Sequence, residues 1–492
     1  MALAPFFDRV YTAVGRHLSV SRENLEHTLS DLTIDILCGA TCDEEGNDRW
    51  TSELVVNLAA RLYPRISLEG PKAAVERLRG LAKSINPKID FDEPGPEHAA
   101  IAIDHAGRPG TIHASSSGWV ARTTRKQESG GPDNPYSAGL AGALAVGALF
   151  RRVLLRAPEE PDFMVSLLDF SRNAGSGKTS PAGDLGVAAL VGVGAVGNGA
   201  IWALARDRGL SGQLVLIDHE HVTELNLQRY LLAVAKDVRA HKVKLAADIL
   251  QGSNFRVIVE QKTFDQFVDA ANGVLTVPTL AVSVDNIEAR RSAQAMLPRM
   301  VINGWTGEAA FGSSWHVFSR DAACLACLYH PHAQGPSQTE QAAQALGLPP
   351  ERAALLWATR QPLSDEDIGT AAKHLGVEEK ALRAWRRKTI GELYTDVVCG
   401  AAPIALPGVQ RVEAVPLAHQ SAMAGILMAV ELVKRTLPGL ASRVQQETLV
   451  YVGDVLRAPP PIWAVPRPRE RGCICGDSVY QDVYREKWGT TA

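Results

Sequence analysis

The chain has 492 residues, with 51 Lys and Arg against 54 Asp and Glu, and 46% of it is hydrophobic. That is about three times a usual domain of roughly 150 residues, so two to three domains with a large core are expected. The near-even charge balance and ordinary composition exclude a basic nucleic-acid binder and a disordered chain.

The opening segment MALAPFFDRVYTAV places Asp8 and Arg9 where a signal peptide needs an unbroken apolar run, so a cytoplasmic location is expected. DLTIDILCGA reads as a strand that breaks at Gly39, and RWTSELVVNLAARLYP has the helical spacing of Trp50, Leu54, Val55, Leu58 and Leu62. RISLEG and AAIAID read as further strands. NPYSAGLAGALAVGALFRRVLL reads as a buried helix whose small residues admit a close neighbour. Its apolar run, Tyr136 to Phe150, is too short for a bilayer core of about 30 Å. The apolar run from Leu185 to Ala205 is split by four glycines, so no membrane span is expected. This first part, 1–175, has βα alternation but ends its first strand in CGATCDEEGND, without a glycine-rich phosphate loop.

SRNAGSGKTSPAGD, from Ser171 to Asp184, reads as a flexible connector and the domain boundary. Its GSGKTS resembles the end of a Walker loop, yet five residues before Gly177 stands Arg172 rather than glycine. Linker is the better reading.

From Leu185 the pattern sharpens. LGVAALVGVGAVGNGAIWALARD reads as strand, loop and helix, with Gly192, Gly194 and Gly197 in GxGxxG spacing. Backbone N–H groups and the helix N-terminus can receive phosphate there. Asp218, at the end of the strand QLVLID about 20 residues on, suits a ribose hydroxyl. Taken alone, these features fit NAD, FAD, S-adenosylmethionine or ATP equally.

The residues beyond discriminate. Asn226 and Arg229 in ELNLQRY, Lys242 at the head of a helix running to about Leu250, and Asp285 at the end of the strand in LAVSVDN form an ordered polar series. A dehydrogenase has little use for an Arg and a Lys aimed at its nucleotide. Adenylation needs cations for a triphosphate and a carboxylate for magnesium. Singly, each of these charges would read as a solvated or capping residue; their joint order carries the inference.

Cysteine usage adds a second signal. Four of the seven cysteines fall in two pairs, Cys324 with Cys327 and Cys473 with Cys475, which suit a tetrahedral thiolate site for zinc. The alternative is reduced thiols packed under loops, and His330 or His332 offers a substitute ligand. Cys399, in YTDVVCGAAPIALPG, lies outside both pairs and is the candidate nucleophile, against the alternative of a buried structural thiol. Cys38 and Cys42 rank below it, because their half lacks the glycine loop. Residues Ser337 to Leu393 are helical in composition, and DIGTAAKHLGVEEKALRAWRRKTI resembles a helix-turn-helix, but its acids argue against DNA. A last helix is expected from about Ser421 to Lys434.

The run LIDHEHVTELNLQRYLLAVAKDVRAHKVKLAADIL resembles the signature of the ubiquitin-activating superfamily, which includes ThiF- and MoeB-type enzymes that adenylate sulfur carriers. The resemblance implies that Asp218 binds ribose, Asn226 and Arg229 contact phosphates and metal, Lys242 binds phosphate and Asp285 holds magnesium. It further implies an N-terminal half that resembles an adenylation domain but is inactive, and an arginine finger, for which Arg9, Arg16 and Arg22 are candidates. Tyr230 departs from the family, which usually has Gln there.

The expected architecture is therefore α/β: an inactive Rossmann-like half at 1–175, an active adenylation domain at 185–333, a helical insertion at 334–398, and a completing segment with a zinc-tied tail at 399–492. ATP, Mg2+ and Zn2+ are the expected cofactors. The expected partners are a ubiquitin-like protein ending in glycine and a conjugating enzyme, with a homodimer as one expected assembly and neither nucleic acid nor membrane. The resemblance extends to activating enzymes of bacterial operons for ubiquitin-like conjugation, which implies an antiphage or stress-linked role. A sulfur-carrier adenylyltransferase and an NAD-dependent oxidoreductase are the rival readings.

Overall fold

The computed structural model describes residues 4–18, 21–128, 130–172, 182–330, 338–394, 397, 415–436, 449–460 and 464–489. The chain forms two compact units, Met1–Leu328 with Val415–Ala492, and Tyr329–Ala414.

The first unit holds two sheets. The smaller contains β1 (Leu32–Cys38), β2 (Ile66–Glu69), β3 (Glu97–Ile103), β4 (Ile112–Ser117), β5 (Val120–Thr124) and β6 (Phe163–Ser166). The larger contains β7 (Gly183–Val191), β8 (Leu210–Ile217), β9 (Asn254–Glu260), β10 (Thr279–Val282), β11 (Met300–Thr306), β12 (Ala310–Val317), β13 (Leu449–Asp454) and β14 (Ala464–Pro466). Their orders are β2-β1-β3-β4-β5-β6 and β14-β13-β12-β11-β10-β7-β8-β9.

Both sheets follow one plan. The opening strand lies inside, the next strand flanks one side, and the chain then returns to build the other side. In each, the parallel strands come first and the antiparallel strands follow: β4–β5–β6 in the smaller sheet, β11–β12–β13–β14 in the larger. In each, a long helix is inserted before the penultimate or last antiparallel strand, Pro135–Leu154 before β6 and Ala418–Thr436 before β13.

The Pro135–Leu154 helix starts where its sequence says it should. Asn134 accepts from the backbone N–H of Tyr136 at 3.0 Å and of Ser137 at 3.2 Å, and Pro135 fits the first turn. This helix is long and apolar enough to cross a membrane, but 94% of its apolar stretch is buried inside the protein. It forms part of one continuous core that reaches from Ala4 to Val455 and includes both long helices.

Small residues let these helices close on the nucleotide-side helix Ala195–Leu204. A Cβ on Gly425 would stand 2.1 Å from the Val196 carbonyl oxygen and 2.7 Å from the Gly199 Cα, so no side chain fits at this crossing. Polar ties cross the same core. Lys434, fully buried, pairs with Glu431 at 2.6 Å and donates to the carbonyls of Leu167 at 2.9 Å and Leu168 at 3.2 Å. Tyr136 donates to Asp207 at 3.0 Å.

The second unit is helical where described. Its helices Gln338–Leu346, Pro350–Thr359, Asp365–Leu375 and Ile390–Leu393 enclose a separate core with Leu346, Leu356, Ile368, Leu382 and Trp385.

Candidate active site

β7 ends at Val191 between β8 and β10, the point at which strand order reverses. In doubly wound sheets, the crevice beyond the strand ends at such a point receives ligands. Gly192 turns the chain there at φ +89°, a conformation that glycine adopts without strain. The helix Ala195–Leu204 follows, with Gly194 as N-cap and no side chain capping it. Its first-turn N–H groups therefore remain directed at the crevice, where a phosphate can satisfy them. A Cβ on Gly197 would come within 2.5 Å of the Gly192 carbonyl oxygen, so the loop closes tightly on itself.

Two side chains lock this loop. Ser283, just past β10, donates to the Gly192 carbonyl at 2.7 Å, and Asn198 donates to the carbonyls of Val193 at 3.0 Å and Gly194 at 2.9 Å. Asn198 also accepts from the Leu232 N–H at 3.1 Å, which ties the loop to the following polar segment. Asp218 is buried at the end of β8 and accepts from the N–H groups of Val193 and Glu220, each at 2.8 Å. Each carboxylate oxygen retains a lone pair, so Asp218 can brace the loop and still accept a ribose hydroxyl.

The cations gather around Tyr230. The Lys242 ammonium lies 5.2 Å from the ring centroid of Tyr230 and the Arg229 guanidinium 5.7 Å, while the Tyr230 hydroxyl would lie 3.6 Å from a Cβ on Gly194. Lys242 is only 6% exposed and ion-pairs with Glu220. Burial opposes its charge, but Tyr230, Asp218 and Glu220 outweigh that penalty and hold its pKa above the usual lysine value. Burial likewise opposes the Glu220 carboxylate, yet Lys242 chiefly draws its pKa below normal. Asn226 sits in the turn before Arg229, where its side chain accepts from the Thr223 N–H at 3.0 Å. Asp285 is exposed, three residues beyond β10 and two beyond Ser283. The structure thus brings Gly192, Gly194, Gly197, Asp218, Arg229 and Lys242 to one crevice, with Asn226 and Asp285 on the segments that border it.

Sequence reasoning missed Ser283, Asn198 and Glu220. Nothing in local pattern marks Ser283, whereas Asn198, directly after the last glycine of the motif, was available as a signal. Of the arginine-finger candidates, Arg9 is buried and Arg22 pairs with Asp8 at 2.5 Å and Glu26 at 2.8 Å. The side chain of Arg16 lies outside the described residues, as does Cys399.

The paired cysteines do meet. Cys324, Cys327, Cys473 and Cys475 are all buried, with sulfurs within 4.8 Å of one another. The sulfurs stand 3.6 Å apart for Cys324–Cys473, 3.5 Å for Cys327–Cys475 and 4.0 Å for Cys324–Cys327. Four sulfurs about 2.3 Å from a central tetrahedral zinc stand about 3.8 Å apart, so the cluster fits such an ion. The Glu470 N–H donates to Cys327 Sγ at 3.4 Å, the kind of outer contact that steadies a thiolate ligand. In the smaller-sheet half, Cys38 and Cys42 are buried at 2% and 0% exposure. Donation of the Cys42 thiol proton toward Cys38, together with burial, pushes the Cys42 pKa far up, which disfavours a thiolate there.

Where β1 ends, the smaller sheet carries carboxylates instead of a glycine loop. The Thr41 hydroxyl stands 2.7 Å from the carboxylates of both Asp48 and Asp104, with one proton to donate between them, and burial raises the Asp48 pKa. Such a turn repels phosphate.

Residues 38–155 match the prokaryotic E2 family C. A protein of Sinorhizobium fredii described as uncharacterized, y4jF, is 32% identical over 522 aligned residues that span 100% of this chain and 98% of that protein. Among solved structures, Escherichia coli MccB with MccA-N7isoASN aligns at 13% identity and a TM-score of 0.36, over 59% of this chain and 67% of that one. PaaA aligns at 23% identity and a TM-score of 0.22, over 26% of this chain and 40% of that one. Residues 186–451, more than half of the chain and the stretch that holds the whole crevice, match the ThiF family. The chain belongs to the ThiF family.

Proposed function

We propose that the chain is an ATP-dependent adenylyltransferase that activates the C-terminal carboxylate of a ubiquitin-like protein. The observation that carries this reading is the grouping, at one switch point, of an uncapped helix N-terminus, Asp218, Arg229 and Lys242. A carboxylate oxygen of the carrier's terminal glycine attacks the α-phosphorus of ATP, and pyrophosphate leaves with the electron pair of the broken P–O bond. Arg229 and Lys242 offset the negative charge that grows on the phosphates. Asp285 and Asn226 would hold Mg2+, which supplies charge neutralisation to the triphosphate. Tyr230 takes the place of a family Gln, and its hydroxyl beside Gly194 supplies a donor in that region.

In the second stage, the Cys399 thiolate attacks the acyl carbon, a thioester forms and AMP leaves; the acyl group then passes to a conjugating enzyme. Membership in the ThiF family and the match of residues 38–155 to a prokaryotic E2 family support a conjugation setting. Burial of Cys38 and Cys42 favours an acceptor thiol elsewhere, on a separate conjugating enzyme. We assign 1–175 as a half without its own nucleotide site, given the acids at Asp48 and Asp104, and 334–398 as the insertion that presents Cys399. Zn2+ at Cys324, Cys327, Cys473 and Cys475 holds the tail.

The test is ATP–pyrophosphate exchange dependent on a carrier with a C-terminal glycine. Exchange that is lost in Asp285→Ala and survives Cys399→Ala, while the thioester disappears in Cys399→Ala, is the expected result. NADH turnover without exchange would sink the reading.

A further inference from the structure

Arg61 follows the helix Asn47–Ala59 in the half that matches the E2 family, yet its guanidinium enters the larger-sheet half. It is 2% exposed. Nε donates to Asn57 Oδ1 at 2.9 Å, Nη1 to the Leu227 carbonyl, and Nη2 to the carbonyls of Leu231 at 3.3 Å and Ala233 at 3.1 Å. Asn57 adds its own bond to the Leu231 carbonyl at 3.0 Å. Burial drives the Arg61 pKa down to about 9, so this charge is kept in place at a cost.

The three carbonyls belong to one short segment, 227–233, which also carries Arg229 and Tyr230. From its other side, Asn198 of the glycine-loop helix accepts from the Leu232 N–H. The segment is therefore clamped between the nucleotide loop of one half and Arg61 of the other. A planar guanidinium can reach three divergent carbonyls at once, which a lysine ammonium on a flexible stem cannot do with the same geometry.

We infer that Arg61 is a positioning residue contributed by the smaller-sheet half, which sets where Arg229 and Tyr230 stand relative to the glycine loop. This rests on the adenylation reading above. It gives that half a part in the adenylation geometry, exerted through the backbone of 227–233 and without contact to substrate.

The experiment uses the full chain with Arg61→Lys and the milder Asn57→Ala. Amide hydrogen exchange is followed in peptides covering 226–233, with peptides from the Ala418–Thr436 helix as internal control. The expected result is exchange about tenfold faster or more in 226–233 with the control unchanged, and kcat for ATP–pyrophosphate exchange per folded molecule lower by about 10- to 100-fold. KM for ATP should move by no more than about threefold, and Asn57→Ala should lie between wild type and Arg61→Lys. Unchanged exchange in 226–233, or a loosened segment with full kcat, overturns the inference. So does activity that falls only with the folded fraction. If the wild type shows no ATP–pyrophosphate exchange with any glycine-ending carrier, the adenylation reading fails, and Mg·ATP protection of 226–233 then decides. Protection in wild type that is lost in Arg61→Lys upholds the positioning role, and equal protection or none overturns it.

Discussion

The Ser283 hydroxyl donates a 2.7 Å hydrogen bond to the Gly192 carbonyl and so joins the end of β10 to the turn after β7. The same segment carries Asp285, two residues further on. Ser283→Ala removes the bond and should cost about 1 kcal/mol of stability. The proposed activity should fall further, by about tenfold, because loop and carboxylate lose their common anchor. Comparing thermal melting with ATP–pyrophosphate exchange separates the two effects.

Gly425→Ala places a methyl group 2.1 Å from the Val196 carbonyl and forces the Ala418–Thr436 helix away from the nucleotide-loop helix. A loss of about 3 kcal/mol is expected, at the upper end for overpacking because the neighbour is backbone. Chemical denaturation should show a lower midpoint with an unchanged slope.

The cysteine cluster should bind one zinc per chain by elemental analysis. Cys475→Ser should release it and lower the melting temperature of the first unit, as should a strong chelator applied to the wild type. A chain that melts identically with and without chelator would remove zinc from the structure.

His316 supplies a pH dependence. It is fully buried on β12, sharing hydrogen bonds with Ser314 at 2.8 Å and with the Ala323 carbonyl at 2.9 Å, and burial lowers its pKa to about 4. The unfolded chain, with a histidine pKa near 6.5, then binds more protons than the folded one between those values. Stability contributed here is present above pH 6.5 and is lost as pH falls toward 4. Between pH 6.5 and 5 the loss should be about 1.5 kcal/mol. His316→Gln should flatten that part of the curve in melting experiments run across pH.

Much of this was readable in advance where local pattern and long-range need coincide. β1 is buried along its whole length, and β7 and β8 close in the buried apolar runs AALV and LVLI, because both faces are covered there; the long helix at Pro135–Leu154 is mostly apolar for the same reason. The hairpin of β4 and β5, IHASSS and VARTT, shows no apolar alternation, and its strand character comes from its neighbours. β10 stops at Val282, three residues before the Asp285 that the strand LAVSVDN was expected to reach, because Ser283 turns its hydroxyl to Gly192. In the crevice, ligand-type residues announce themselves by order and charge. Residues that hold them in place do not: Ser283 and Arg61 act on backbone carbonyls far away in sequence, and only the folded chain brings them there.

The ties at Lys434, Tyr136 and Arg61 join the two sheet-bearing halves without using the connector, 173–181, which lies outside the described residues. Arg151 adds another, donating to the Val455 carbonyl at 3.1 Å. The peptide linkage between the halves is thus a matter of gene layout more than of assembly. Expressed as two separate polypeptides divided within 173–181, the halves should still find each other and copurify.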